Sequence, residues 1–239
     1  MSGAKHTLEQ QAVVANNLAN ASTNGFKAEM ASFRATPTLG PTLPTRAYVV
    51  DNTLGADFSP GIVQQTGREL DVAVNGAGWI AVQAADGTEA YTRDGSLQVS
   101  ANGVLQTHNG LNVVGEGGTI TVPPNNTVSV GGDGTVSIIP TDTAPTGVAT
   151  AGRIKLVNPL EADLERAGDG LFRLKSGLPA PADPNVQLAT GVLEGSNVSS
   201  VKMLVEMIAH ARQFETQIRM MQLADTTDRS WSQVMNLSA

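Results

Sequence analysis

The chain of 239 residues contains no cysteine. That removes disulfides, thiolate catalysis and cysteine-ligated metals, and it suits any redox compartment. Aromatic residues make up only 4% and charged residues 15%. A core is still possible, because 41% of the residues are hydrophobic, but it must rest on Val, Ile, Leu and Ala. The net charge is -7 with 15 scattered Lys and Arg, a poor match for nucleic acid or anionic lipid. No apolar run approaches the ~20 residues that cross a bilayer, so no direct membrane insertion is expected. The start, Met1 to His6, lacks the charged, apolar and small-residue succession of a cleavable secretory signal.

One stretch lacks what the rest has in plenty. The chain carries 25 Gly and 12 Pro, yet Val198 to Ala239 has neither. Within it Val201, Leu204, Ile208, Ala211, Ile218 and Met221 recur at helical steps. As one helix it spans ~60 Å at 1.5 Å per residue. Five of the seven methionines fall here, a side chain that adapts to more than one neighbour. Residues 4 to 20 form a shorter candidate helix with Leu8, Ala12, Ala15 and Ala19 on one face. It ends where Asn20 to Gly25 supply a stop. At ~25 Å it covers less than half of the C-terminal stripe. The remainder is therefore expected to be buried between subunits, with the helix pair a coiled-coil-like module largely unordered until then.

Between the helices the texture changes twice. Phe26 to Asp71 is broken by Pro37, Pro41, Pro44 and Pro60 and reads as an extended arm, with Tyr48 to Val50 a possible short strand. From about Leu70 to Val157 the pattern is β. Asn-Gly or Asp-Gly pairs at 75–76, 86–87, 94–95, 102–103, 109–110 and 133–134 are favoured hairpin-turn chemistry. Segments such as Trp79 to Val82, Leu97 to Val99, Leu111 to Val114, Ile120 to Val122 and Thr135 to Ile139 sit between them. The fold class expected is mixed α and β, with paired terminal helices flanking a central antiparallel all-β domain. The divisions are 1–24 with 198–239 as the helical module, 25–69 as the arm, 70–175 as the β body and 176–197 as an extended return.

No constellation for catalysis is present. His6 and His210 fall on the terminal helices and His108 at a turn, not spaced as ligands. The Gly-rich stretches 76–78 and 115–118 are not followed by Gly-Lys-Ser or Gly-Lys-Thr. Glu161, Asp163, Glu165 and Asp169 lack the calcium-loop spacing and read as a solvated face. No enzyme activity, cofactor or metal is expected.

Four blocks carry a family resemblance. Ala15-Asn16-Asn17-Leu18-Ala19-Asn20 runs into Thr23-Asn24-Gly25-Phe26-Lys27; then come Leu70 to Trp79, Tyr91-Thr92-Arg93-Asp94-Gly95, and Leu193-Glu194-Gly195-Ser196-Asn197-Val198 with Arg212-Gln213-Phe214-Glu215. In this order they resemble the bacterial flagellar rod and hook proteins. The short central body and the stretch Thr7 to Asn17 resemble the proximal-rod type within that family. The resemblance implies a structural subunit of the flagellar basal body, exported without a cleavable signal through the type III apparatus. It also implies helical assembly with copies of itself and neighbouring rod proteins into a periplasm-spanning shaft and export channel.

On that reading Leu8, Ala12, Ala15, Ala19, Val201, Leu204, Ile208, Ala211, Ile218 and Met221 pack both within a chain and across subunits. Asn16, Asn17, Asn20, Gly25, Phe26, Asn197, Arg212 and Phe214 are the family-motif positions singled out. The family usually carries several more residues ahead of the equivalent of Met1, which implies either further residues upstream or a shorter first helix. A distal-rod or hook-type subunit, a secreted β-rich adhesive module with a helical stalk, and a hydrolase with an unfamiliar site stand as alternatives.

Overall fold

A computed structural model describes residues 2–37, 47–124, 126–140 and 149–237. The chain divides into two units: residues 1–21, 29–55 and 198–239 form one, and residues 22–28 and 56–197 form the other.

The first unit holds two helices and a ribbon. Helix α1 spans Ser2–Ala19 and helix α2 spans Ser200–Leu237. At 1.5 Å per residue they are ~27 and ~57 Å long. Both are continuous α-helices. The stretch expected to be an irregular arm is regular in part, since the strands Glu29–Pro37 and Ala47–Ala56 pair as a two-stranded ribbon. Pro41 and Pro44 lie outside the described residues.

Within the single chain the covered face of the helices overlaps the expected stripe only in part. In α1 the buried positions are Thr7, Val14 and Asn17, while Leu8, Ala12, Ala15 and Ala19 are exposed. In α2 Met203 is buried, and Glu206, Met207, His210, Ala211, Phe214, Gln217, Ile218 and Met221 are half-buried, at helical steps of three and four. Val201, Leu204 and Ile208 are exposed, and Ala211, Ile218 and Met221 are half-buried. The Gln217 side chain meets α1, exchanging hydrogen bonds with the Thr7 hydroxyl at 3.2 and 3.4 Å. A polar seam is tolerable because its polar groups find partners. Of the six apolar-stripe positions of α2, three are thus half-buried and three exposed within the single chain. Past Met221, residues 222–231 are all exposed.

The second unit is the β body. Its largest sheet runs Leu164–Arg166, Phe172–Leu174, Glu89–Thr92, Trp79–Gln83, Asn112–Gly115, Leu105–Thr107 and Leu97–Val99. Gly118–Thr119 is added on Asn112–Gly115, and Leu156–Val157 on Trp79–Gln83. A three-stranded sheet orders Asn126–Val130, Thr135–Pro140 and Ala149–Arg153. The stretch 176–197 is not a mere return. Gln187–Thr190 pairs with Val72–Asn75, and Val192–Glu194 pairs with Val63–Gln65, both antiparallel.

Five of the six glycines in the expected turns have positive φ; Gly95 does not. A Cβ on Gly95 would stand 1.8 Å from the Val72 carbonyl oxygen, so glycine is needed there for close approach of two backbones. The main core is aliphatic, built on Val72, Ile80, Val82, Leu97, Leu105, Val113 and Val136 among others. The few aromatics are concentrated. Trp79, Tyr91 and Phe172 centre a second cluster that Phe58 joins, with Trp79 and Phe172 ring centroids 4.7 Å apart and Phe58 edge-on to Trp79 at 5.7 Å.

Candidate functional site: a buried ionic joint

Three of the four motif blocks meet inside the β body, around one carboxylate. Glu194 ends the strand Val192–Glu194, whose pairing to Val63–Gln65 holds the side chain's origin in place. Its Oε1 accepts from Lys27 Nζ at 2.6 Å and from the Gly61 backbone N–H at 3.0 Å. Its Oε2 accepts from Arg93 Nη1 at 3.1 Å. The Glu194 backbone carbonyl accepts from Gly25 N–H at 2.7 Å. Lys27 also donates to the Ser59 carbonyl at 2.9 Å, and Arg93 Nη2 to the Gly76 carbonyl at 2.8 Å. The Arg93 guanidinium lies 5.3 Å from the centre of the Trp79 ring.

Burial pushes the Glu194 carboxyl up. The hydrogen bonds from Lys27 and Gly61 and the charges of Lys27 and Arg93 outweigh it, and the net result lies below the ordinary glutamate value. The arrangement sets one buried anion between two cations; of the groups around it, the Arg93 Nε–H is buried without a hydrogen-bond partner. It is chemistry for holding, not for reaction.

Asn197 completes the joint. The chain leaves this unit after residue 28, re-enters at 56 and leaves again after 197. Asn197 Oδ1 accepts from Ala28 N–H at 2.7 Å, and its Nδ2 donates to the Asp57 carbonyl at 2.8 Å. Asp57 N–H in turn donates to the Ala28 carbonyl at 2.8 Å. One amide side chain thus ties the last residue before the exit at 28, the re-entry at 56–57 and the exit at 197. Phe26 is buried beside it, with the Arg166 guanidinium 4.4 Å from its ring centre. Gly25 has φ +68°, and a Cβ there would stand 2.3 Å from the Arg93 carbonyl carbon and Asp94 nitrogen. Only glycine lets the first motif lie against the third.

The other singled-out residues lie elsewhere. In the helical unit Asn17 makes a two-way bond with the Glu29 backbone at 2.8 and 2.9 Å, and Asn16 donates to the Glu29 carboxylate at 3.0 Å. Asn20 donates back to the Asn16 carbonyl at 3.0 Å and side chain at 2.8 Å. On α2, Arg212 is exposed and Phe214 half-buried. Lys27, Arg93 and Glu194 lie within the first, third and fourth motif blocks, beyond the motif positions expected to matter. The available signal was a charge set among glycines and apolar residues, as Glu194 stands between Leu193 and Gly195.

Among the described residues no group of three or more His, Cys, Asp or Glu is placed to hold a metal, and no helix is long and apolar enough to cross a membrane. The acidic residue Asp169 is engaged by Arg173 at 2.8 Å. A cleft of about 610 Å³ is lined by Glu89, Lys155 and, from the 114–118 hairpin, Val114, Gly115, Glu116 and Gly118; Glu89 and Lys155 are bonded to each other at 2.8 Å and Glu116 is paired with Arg153 at 3.6 Å.

A β body knit by a buried ionic joint, together with helices that keep apolar faces outward, defines a structural assembly protein. Comparison with known proteins says which. Residues 1–27 match the family of flagella basal body rod proteins, residues 73–138 the D1 domain of flagellar hook protein FlgE/F/G, and residues 189–234 the C-terminal region of flagellar basal body rod FlgEFG proteins. The flagellar basal-body rod protein FlgF of Salmonella typhimurium (strain LT2) is 45% identical over 244 residues, covering 100% of this chain and 97% of the relative. FlgF of Escherichia coli (strain K12) is 46% identical with the same coverage. The rod protein FlgG of Buchnera aphidicola subsp. Schizaphis graminum is 34% identical over 93% of this chain and 92% of its own length.

The chain belongs to the flagellar basal-body rod protein family. It is a structural subunit of the proximal-rod type, placed in the basal body, and not an enzyme.

Proposed function

We propose that the chain polymerises helically through its terminal helices, with copies of itself and adjacent rod proteins, into a periplasm-spanning drive shaft with an export channel. It reaches that place through the flagellar type III apparatus without a cleavable signal. The observation that carries the reading is the outward stripe of α2: Val201 is 70% exposed, Leu204 49%, Ile208 54%, Leu223 72% and Trp231 65%. Helix α1 is less than half as long as α2, and its own outward face offers Leu8, Ala12, Ala15 and Ala19. Each large side chain covered by a neighbour contributes ~1.5–3 kcal/mol, and a stripe of them recovers what a lone chain leaves in water. In the polymer Leu8, Ala12, Ala15 and Ala19 of α1 pack with Val201, Leu204, Ile208, Ala211, Ile218 and Met221 of α2 as a coiled-coil-like module.

Ile208→Asp tests this. The variant keeps a folded β body, read by the near-ultraviolet signal of Trp79, but fails to assemble, because a buried unpaired charge costs several kcal/mol. Rods assembled at normal levels from the variant would overturn the proposal.

A further inference from the structure

Four Asn-Gly pairs occur in the chain, at 24–25, 75–76, 102–103 and 109–110. Such pairs undergo spontaneous deamidation when the glycine nitrogen reaches the asparagine side chain. The fold treats the four differently. Gly25 N–H donates to the Glu194 carbonyl at 2.7 Å, Gly103 N–H to Ser100 at 2.9 Å and Gly110 N–H to Thr107 at 2.9 Å. In each case the prospective nucleophile is held toward a carbonyl and its peptide plane is pinned. Gly76 N–H has no hydrogen-bond partner among the described residues. Asn75, the last residue of its strand, and Gly76 are both exposed, and no atom lies within 4 Å of a Cβ built on Gly76; Asn109 and Gly110 are as exposed and as open, so what separates these two pairs is the bond from Gly110 N–H to Thr107. Gly25 and Gly103 are crowded by backbone at 2.3 and 2.5 Å.

We infer that Asn75 is the chain's site of spontaneous deamidation, a modification site selected by the fold and not by the dipeptide alone. The Gly76 nitrogen loses its proton and attacks Asn75 Cγ. The Cγ–Nδ2 bond breaks and ammonia leaves, closing a cyclic succinimide. Water then adds at either ring carbonyl, giving aspartate or, when the main chain is rerouted through the side chain, isoaspartate. No oxidant or enzyme is required. The position matters because the Gly76 carbonyl is the acceptor of Arg93, which in turn pairs with Glu194. An isoaspartyl link lengthens the backbone by one carbon immediately before that carbonyl and disturbs the joint from outside.

The test is a peptide map of the full-length native protein after incubation at mildly alkaline pH, with isoaspartate detected by carboxyl methyltransferase labelling. A parallel sample is held unfolded in urea at the same pH. Native protein is expected to convert Asn75 several-fold faster than Asn24, Asn102 or Asn109, and the four rates are expected to converge in urea. Faster native conversion at another pair overturns the assignment. So does an Asn75 preference that persists undiminished in urea, since the neighbouring residues and not the fold would then be its cause.

Discussion

Lys27 Nζ stands 2.6 Å from Glu194 Oε1, and the two side chains are 1% and 2% exposed although 167 residues separate them in the chain. A pair so completely removed from water is costly to form and costlier to break. It joins the first motif block to the last, with Arg93 of the third closing the other side of the carboxylate. The consequence is that the points where the chain enters and leaves the β body are fixed to one another.

Replacing Glu194 by Gln strands two buried cations. The variant is expected to lose ~3–5 kcal/mol of β-body stability. Urea unfolding followed at Trp79 measures it; a midpoint equal to the parent's would show that the joint is not what holds the crossings.

The same carboxylate sets an acid limit. Because the folded Glu194 carboxyl lies below its ordinary value of 4.5, its contribution is fully present above that value and is lost as pH falls through the lower folded value. Stability curves from pH 6 down to pH 3, parent against Glu194→Gln, should converge toward the acid end. Parallel curves would count against the assignment.

Asp94 has the opposite sign. Burial raises its carboxyl above the ordinary value, with the nearby Asp71 adding to the rise while Ser96 and His108 oppose it. A raised acid destabilises the fold at neutral pH and is relieved as pH falls through the raised value toward 3.8. Asp94→Asn, which still accepts from Ser96 N–H, is expected to be more stable than the parent at pH 7, with the gain shrinking as pH falls through that window. Thermal melts at the two ends of the window check it; a loss at pH 7 would contradict the sign.

Gly25→Ala should be among the most disruptive single changes. It places a side chain at φ +68° and drives its Cβ into the Arg93–Asp94 backbone. The backbone strain alone is worth ~1–3 kcal/mol, and the clash adds to it. A melting temperature equal to the parent's would mean the two segments separate at little cost.

Asn197→Ala removes the amide that reaches Ala28 and Asp57, leaving a half-buried N–H and a half-buried carbonyl short of a partner, at ~1 kcal/mol. Hydrogen exchange at Ala28 should accelerate more than exchange in the strand Trp79–Gln83. Uniform acceleration across the body would make Asn197 a general packing residue instead.

Much of this protein was legible along the chain. Helix length follows from the absence of Gly and Pro after residue 198 and from apolar steps of three and four, both local properties of a backbone with one hydrogen-bond period. The hairpins follow from Asn-Gly and Asp-Gly pairs, because positive φ is a property of the dipeptide itself. The family blocks were likewise readable as words in order. What tertiary structure alone decided is which face is inside. Leu8, Ala12, Ala15 and Ala19 make the more apolar stripe of α1, yet Thr7, Val14 and Asn17 are buried, because Gln217 and the Glu29 backbone supply the polar partners that make their burial tolerable. The role of Glu194 was equally out of reach. A lone carboxylate between leucine and glycine carries no mark of being buried until Lys27 and Arg93 arrive from distant parts of the chain, since a charge leaves water only where opposite charge and donors meet it in space.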